Sequence, residues 1–370
     1  MRINLFLVPF VIIMGWILGL QDSKKNRLLY IILCYAVLIF VAAMRNPELM
    51  TDIYGIDTSN YRDYFVDSFS MSWQDIWANA VDRYVRWEGD FDIGFHALNK
   101  VISYVTHDFH IYSILVDLIF FIPLGIILYR YCTHMWQIVF AFVFYLAMLQ
   151  ILFLSGGRQN FAVGFDLMAF LSIIDNRKLR AIILWGIGIF VHFSSILFII
   201  PLLAIWFNLG PRPLKIIHAI CFVVFPIVYF NPNEMIVFMG NTIGMEKYAN
   251  YGEGMITGGA NTFVILIELL SLFCLFAIKR SDLQNNNYLR CMYVMVPLFT
   301  LLSPLINADG AMIRVSFYYH LFLMLLVPYG IDCIFDRKSQ RFAYFVAIGT
   351  LSLLTLSNGG ITYYFYWQQL

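Results

Sequence analysis

The chain has 370 residues, of which 61% are hydrophobic and 13% charged, and its mean hydropathy is +0.75. This composition excludes an ordinary water-soluble domain, and a formal net charge of +1 with no basic block gives no indication of nucleic-acid binding. The apolar stretches are long enough to cross a hydrocarbon core about 30 Å thick as helices, and they lack the alternation of membrane β-strands. We therefore expect an all-α, polytopic transmembrane helical bundle.

Apolar segments recur along the whole chain, which we interpret as a single integral membrane domain, residues 1–370. The segment 181–207 is expected to cross twice, as two short helices meeting near His192, because basic loops on both of its sides favour the same compartment. One long tilted helix is the alternative, and it would invert the topology downstream. About eleven or twelve spans result, from the segments 3–20, 28–44, 110–130, 135–154, 159–174, 181–207, 214–230, 262–278, 291–306, 315–334 and 342–357.

Six short loops carry lysine or arginine and are predicted to face the cytoplasm. Their basic residues are Lys24, Lys25 and Arg27; Arg130; Arg177, Lys178 and Arg180; Arg212 and Lys215; Lys279, Arg280 and Arg290; and Arg337, Lys338 and Arg341. The two long loops, 45–92 and 231–261, are then extracytoplasmic.

The first outer loop contains a helix signal. Ser72 and Asp75 form a capping-box pattern, and apolar residues follow at helical spacing. This pattern predicts an amphipathic helix on the membrane surface, with a face made of Trp73, Ile76, Trp77, Ala80, Val81 and Tyr84. The next apolar segment, 93–104, is too short to span and is predicted to be re-entrant or interfacial.

Arginine is scarce on the predicted outer side, so its positions are informative. Arg45 closes the second span, Arg158 begins the fifth, and Arg314 opens the span that starts near residue 315. A guanidinium at a membrane boundary can hold phosphate oxygens bidentately while the attached lipid stays in the bilayer. Snorkelling of each arginine to lipid headgroups is the alternative.

Three groups are candidates for proton transfer. Asp92 and Glu88 lie where the outer loop enters the membrane, where a partly desolvated carboxylate can reach a sugar hydroxyl. Solvated acids, or ion pairs with Arg83 and Arg86, explain them equally well. His192 lies in the polar break between two half-helices. It acts there as a base or as a hydrogen-bond donor to a leaving group, or it is a buried structural histidine.

Three acids, Asp117, Asp166 and Glu268, fall inside predicted spans. They form a proton or ion pathway, or they are neutral or locally paired. The sequence has no nucleotide-binding glycine loop, no His-Glu-x-x-His and no Gly-x-Ser-x-Gly, and its six cysteines show no metal-site spacing. Phosphate recognition without a nucleotide site indicates a lipid-linked phosphate as substrate.

An ordered set of short motifs resembles the EpsG-type, Wzy-like polysaccharide polymerases. The motifs are Arg45; Gly55-Ile-Asp57-Thr-Ser-Asn-Tyr61; Asp92-Ile-Gly94-Phe95; Gly157-Arg158-Gln159-Asn-Phe-Ala162; His192-Phe-Ser-Ser195; Lys247-Tyr248-Ala-Asn-Tyr251; and Arg314-Val-Ser-Phe-Tyr-Tyr319. The family usually has glutamate where this chain has Asp92, so Glu88 is an alternative carboxylate.

The resemblance implies a GT-C-like glycosyltransferase of the bacterial cell membrane. It would move a growing glycan from undecaprenyl diphosphate to the terminal sugar hydroxyl of a lipid-linked repeat unit at the extracytoplasmic face, without a metal or cofactor. A chain-length regulator and a flippase are possible partners. A flippase or transporter of lipid-linked oligosaccharide and a ligase of the O-antigen type are the alternatives.

The resemblance also implies roles for individual residues. Asp92 or His192, with Glu88 as substitute, would deprotonate the acceptor. Arg158 and Arg314 would bind the diphosphate, and Arg45 is a further candidate for diphosphate binding or for positioning. The remaining substrate-positioning candidates are Asp57, Tyr61, Gln159, Tyr248, Tyr251 and Tyr319.

Overall fold

The computed structural model describes residues 2–49, 57–86, 92–243, 260–308, 312–357 and 362–368. The regular elements in these ranges are all helices, joined by isolated β-bridges between Arg2 and Thr362 and between Arg45 and Phe365. The predicted all-α, polytopic class is therefore confirmed.

Packing divides the chain into two compact units. The first comprises Met1–Ile199 with Ala347–Leu370, and the second comprises Ile200–Val346. That the whole chain forms one membrane domain stays a prediction.

The helices of the first unit correspond to the predicted segments, with additions in the outer loop. They are α1 (Asn4–Gly19), α2 (Lys24–Ala43), α3 (Thr58–Ser70), α4 (Trp73–Val85), α5 (Ile93–Ser103), α6 (Phe109–Tyr131), α7 (Met135–Phe144), a π-helical turn (Tyr145–Leu149), α8 (Gln150–Ser155), α9 (Gly157–Ile174), α10 (Lys178–Val191) and a 3-10 turn (Phe193–Phe198).

The chain continues with the helices that carry the remaining predicted spans. They are α11 (Ile199–Trp206), α12 (Pro211–Phe230), α13 (Pro232–Ile243), α14 (Ala260–Ala277), α15 (Arg280–Asn285), α16 (Asn287–Tyr293), α17 (Met295–Leu302), a 3-10 turn (Ser303–Asn307), α18 (Ile313–His320), α19 (Leu323–Ile334) and α20 (Arg337–Ser357).

Several helices are long and apolar enough to cross a membrane. In the described ranges, four meet both conditions: Lys24–Ala43, Phe109–Tyr131, Pro211–Phe230 and Asn287–Asn307. The pair α18 and α19, bent by 45°, would make a fifth. Shorter apolar helices occupy other predicted segments, including Asn4–Gly19 and Met135–Leu149. The predicted total of eleven or twelve spans stays a prediction.

The helix directions in the first unit place the basic loops at one end. Arg27 donates to the carbonyl oxygen of Cys132 at 2.9 Å, and Arg130 pairs with Asp175 at 3.1 Å. The loops that follow α1, α6 and α9 are therefore neighbours. At the opposite end, Nδ1 of His110 lies 2.7 Å from the carbonyl oxygen of Ala43, so the start of α6 meets the end of α2.

The predicted outer loop 45–92 is more helical than its sequence indicated. Helix α3 was not expected, whereas α4 starts at the predicted capping box, in which Ser72 and Asp75 each accept a backbone N–H. The predicted single apolar face of α4 is divided, because Ile76 and Ala80 are buried while Trp73 and Trp77 are exposed. The face of α4 that carries Ile76 and Ala80 packs against α5. The prediction that these two residues face the membrane is therefore wrong.

The predicted break at His192 is present. Helix α10 ends at Val191, His192 is extended (φ −154°, ψ 116°), and a 3-10 turn follows. Nε1 of Trp185 donates to the carbonyl oxygen of Ser195 at 3.0 Å, so the chain folds back against α10. Whether the segment 181–207 crosses the membrane twice stays a prediction.

Candidate functional site

Three predicted residues from distant parts of the chain meet in the first unit. Nη1 of Arg158 donates to Oδ2 of Asp92 at 3.1 Å. Nδ1 of His192 lies 3.6 Å from the same oxygen, which is longer than a hydrogen bond but within ion-pair range. The Asp92 side chain is 7% exposed, against 26% for Arg158 and 23% for His192. The carboxylate is therefore the shielded member, and the two nitrogen groups reach toward solvent.

Each of the three residues stands at a helix end. Asp92 precedes α5, Arg158 lies in the first turn of α9, and His192 follows α10. Gly94 permits the close approach of α5 to α10, since a Cβ there would lie 2.6 Å from the carbonyl carbon of Phe190. Within this Asp-x-Gly motif, the candidate carboxylate of Asp92 is followed two residues later by the glycine at the contact between α5 and α10.

Helix α3 adds an aromatic wall to the site. The guanidinium carbon of Arg158 lies 6.0 Å from the ring centroid of Tyr64 and 5.8 Å from that of Phe95, within cation–π range. Tyr61 is buried, and a Cβ at Gly157 would lie 2.8 Å from its ring. Glycine before Arg158 therefore lets α9 begin directly against α3.

A buried lysine holds α3 in this position. Nζ of Lys100, on α5, donates to the carbonyl oxygens of Ser68 at 3.0 Å and Phe69 at 3.2 Å. These carbonyls belong to the last turn of α3, where a cation also complements the helix dipole. Lys100 thereby ties α3, with its tyrosines, to the helix that begins at Asp92.

Sequence reasoning missed His96. It stacks edge-on with Tyr64 at 5.7 Å between ring centroids and is buried near Asp92 and Arg158. Burial, assisted by the positive charge of Arg158, lowers the pKa of His96 to about 4. Its spacing of four residues from Asp92 on a helix was the available signal.

Arg45 occupies a deeper position than its placement at a membrane boundary indicated. It is buried at the same end of the first unit, within electrostatic reach of Asp117, Tyr61 and Tyr363. Burial lowers its pKa, and the Asp117 carboxylate opposes that shift. Tyr61 also packs against the turn at Gly157, so Arg45 lies near the aromatic wall.

Two of the acids inside predicted spans are locally paired. The hydroxyl of Ser195 donates to both carboxylate oxygens of Asp166 at 2.8 Å, and that of Ser303 donates to Glu268 at 2.6 Å. Asp117 is buried near Arg45. Local pairing is the alternative that these contacts support.

The other predicted site residues are distributed as follows. Gln159 is buried beside Arg158 on α9, and Asp57 precedes α3. Arg314 is half-buried and Tyr319 fully buried on α18, in the second unit. That they act together with Arg158 stays a prediction. The remaining candidates lie outside the described residues: Glu88, Tyr248 and Tyr251.

The described residues contain no group of three or more histidine, cysteine or acidic side chains placed to hold a metal ion. At the candidate site, Arg158 offers a cationic group and His192 a nitrogen that can accept a proton. The arrangement can hold an anion at the guanidinium and accept a proton at the imidazole.

Comparison with known proteins bears on this arrangement. The model of the EpsG family matches residues 49–365, a range that includes Asp92, Arg158, His192 and Arg314. No curated protein and no solved structure matches the chain significantly.

Proposed function

The chain belongs to the EpsG family of Wzy-like polysaccharide polymerases, and from this premise we propose that it extends glycans on undecaprenyl diphosphate. The growing glycan is the donor, and the terminal sugar hydroxyl of a lipid-linked repeat unit is the acceptor. The reaction takes place at the extracytoplasmic face of the bacterial cell membrane. The observation that carries the proposal is the meeting of Asp92, Arg158 and His192 at one end of the first unit.

The transfer exchanges one bond for another at the anomeric carbon of the donor. The bond from this carbon to the diphosphate oxygen breaks, and a bond to the acceptor oxygen forms. The proton of the acceptor hydroxyl passes to His192, and the electron pair of the broken bond leaves with undecaprenyl diphosphate. Negative charge thus develops on the leaving group, where the guanidinium of Arg158 stabilises it.

Asp92 contributes to this step by positioning Arg158 and His192. Its Oδ2 accepts from Arg158 and lies near His192, so it orients the imidazole and stabilises the imidazolium that forms. Since the carboxylate is the most buried of the three groups, His192 is the better placed proton acceptor. This assigns general-base catalysis to His192 and positioning to Asp92.

The exposed side of the site suits a sugar–phosphate. Tyr64 is 37% exposed and lies beside the Arg158 guanidinium, so its ring can stack on a sugar whose phosphate the arginine holds. Arg314 is proposed as a second diphosphate ligand on the strength of the family motif.

Substitutions at the three residues test the proposal. We expect H192A and R158A to lower chain extension roughly a hundredfold, because each removes a group that acts in the transition state. R158K should remain impaired, since an ammonium cannot bind phosphate bidentately. The measurement is the glycan ladder formed in cells that depend on the variant as their polymerase.

A control variant separates the loss of the Arg158 side chain from the loss of arginine in general. R212A removes an exposed arginine of a predicted cytoplasmic loop and should leave the ladder unchanged. A normal ladder from R158A or H192A would remove that residue from the mechanism.

Purified protein distinguishes the alternatives. With lipid-linked repeat units in detergent, a polymerase lengthens the glycan, whereas a flippase has no compartment to cross. In cells, loss of a ligase leaves polymer on its carrier, whereas loss of a polymerase leaves single repeats.

A further inference from the structure

A cavity of about 270 Å³ opens at the end of the first unit opposite to Asp92. It lies between the C-terminal parts of α6 and α9, beside the turn into α10. Met168 is the lining residue of α9 that lies nearest to Arg158 along the chain, and the ten positions that separate them correspond to about 15 Å of helix at 1.5 Å per residue. The cavity is therefore distinct from the candidate active site.

The mouth of the cavity is basic. Three arginines line it together with a single acid, Asp175. Arg130 pairs with both oxygens of Asp175 at 3.1 Å. Arg177 and Arg180 are exposed, and neither has an acidic partner in the part of the chain that the structure describes. The mouth thus carries an excess of two positive charges.

The turn between α9 and α10 presents these charges. Asn176 has a left-handed backbone (φ 59°), and the N–H of Arg177 donates to the carbonyl oxygen of Ser172 at 2.8 Å. Together with the bond from Asn176 N–H to Ile173, this is a Schellman ending of α9. The chain reverses tightly, so Arg177 and Arg180 flank the first turn of α10 at the cavity mouth.

The floor of the cavity is apolar and open to the side. Ile122 and Ile126 lie one helical turn apart on α6 and are 53% and 38% exposed, and Met168 contributes from α9. Because α6 is long and apolar enough to cross a membrane, we expect its exposed isoleucines to face lipid. The charged mouth matches the charged headgroup of a phospholipid, and the apolar floor matches its acyl chains. Basic pockets between spanning helices bind anionic headgroups.

We propose that this groove binds an anionic glycerophospholipid of the surrounding bilayer. The lipid phosphate contacts Arg177 and Arg180, and one acyl chain lies along Ile122, Ile126 and Met168. The volume is slightly below the roughly 300–1,000 Å³ of pockets that enclose a whole small ligand. It accommodates the phosphate and the upper part of a chain, while the rest of the lipid stays in the bilayer.

Native mass spectrometry of the full-length protein in detergent tests this proposal. The protein is titrated with phosphatidylglycerol, with phosphatidylcholine, or with undecaprenyl phosphate. We expect phosphatidylglycerol to be retained preferentially, and R177A/R180A to weaken its binding roughly tenfold or more, because each cation near an anionic lipid contributes favourably. The matched control R337A/R341A removes two exposed arginines from another basic loop and should bind as the unsubstituted protein does.

A second variant tests the floor. M168W fills the groove without changing its charge, so a lipid seated in the groove is lost, whereas a lipid held only by surface charge is retained. Should M168W fail to fold, the arginine variants decide alone.

Three results would overturn the proposal. In the first, R177A/R180A and R337A/R341A lose phosphatidylglycerol equally; in the second, the unsubstituted protein retains phosphatidylcholine as well as phosphatidylglycerol. In the third, undecaprenyl phosphate binds more tightly than phosphatidylglycerol and R177A/R180A weakens its binding. So would retention of phosphatidylglycerol by a folded M168W.

Discussion

One carboxylate oxygen lies close to both a guanidinium and an imidazole in this protein. Oδ2 of Asp92 accepts from Arg158 and lies 3.6 Å from Nδ1 of His192. Gly94 lets α5 approach α10 closely, and Asp92 at the start of α5 contacts Arg158 and lies near His192, which follows α10.

The stability of the site should depend on pH through His96. Its pKa in the folded protein, about 4, lies below the ordinary value of 6.5. As pH falls through this window, the unfolded chain binds a proton before the folded protein does, so stability falls. We expect the thermal midpoint in detergent to drop between about pH 6.5 and 4, and H96Q to show a shallower drop. Equal slopes for the two proteins would contradict this.

The turn that carries His192 is hydrogen-bonded to a buried side chain of α9, Asp166. Ser195 donates its hydroxyl to Asp166, and its N–H bonds to the carbonyl oxygen of His192 at 3.0 Å. Gly188 makes room for this pair, since a Cβ there would lie 2.8 Å from the Ser195 hydroxyl. An acid inside a predicted span thus contacts the turn that carries the proposed base.

Removing that pairing should impair function through His192. D166A leaves the buried Ser195 hydroxyl without its acceptor, at a cost of about 1–3 kcal/mol, and we expect at least a tenfold lower rate of glycan elongation. D166N keeps an acceptor oxygen and should restore most of the rate. The measurement is elongation by purified protein, with thermal unfolding as control. If D166N were as impaired as D166A, the positioning role would be wrong.

The first unit as a whole has two chemically different ends. The loops containing Arg27, Arg130 and Arg177 gather at one end, and Arg45, Asp92 and Arg158 lie at the other. The positive-inside rule assigns the first end to the cytoplasm. The predicted orientation therefore places the candidate active site outside.

Cysteine labelling tests this orientation. Trp77 and Leu179 are similarly exposed, at 67% and 72%, and lie on opposite sides of the predicted topology. We expect an impermeant maleimide to label W77C in intact cells and L179C only after permeabilisation. The unsubstituted protein measures the background from its own cysteines. Labelling of both variants in intact cells would contradict the assignment.

The sequence by itself determined the helical class, the apolar segments, the basic loops and the break at His192. These follow from hydrophobicity, charge and capping patterns, which act over one or two helical turns. The motifs also selected Asp92, Arg158 and His192 before their positions were known.

Only the tertiary structure decided which of these groups meet. Asp92 and Arg158 are 66 positions apart, and their contact depends on how helix ends pack, which no local pattern encodes. The same packing buried Arg45 beside Asp117 and turned Ile76 inward, where the sequence indicated a membrane boundary and a membrane-facing surface. Amphipathic patterns identify an apolar face, and the neighbouring helices decide whether protein or lipid covers it.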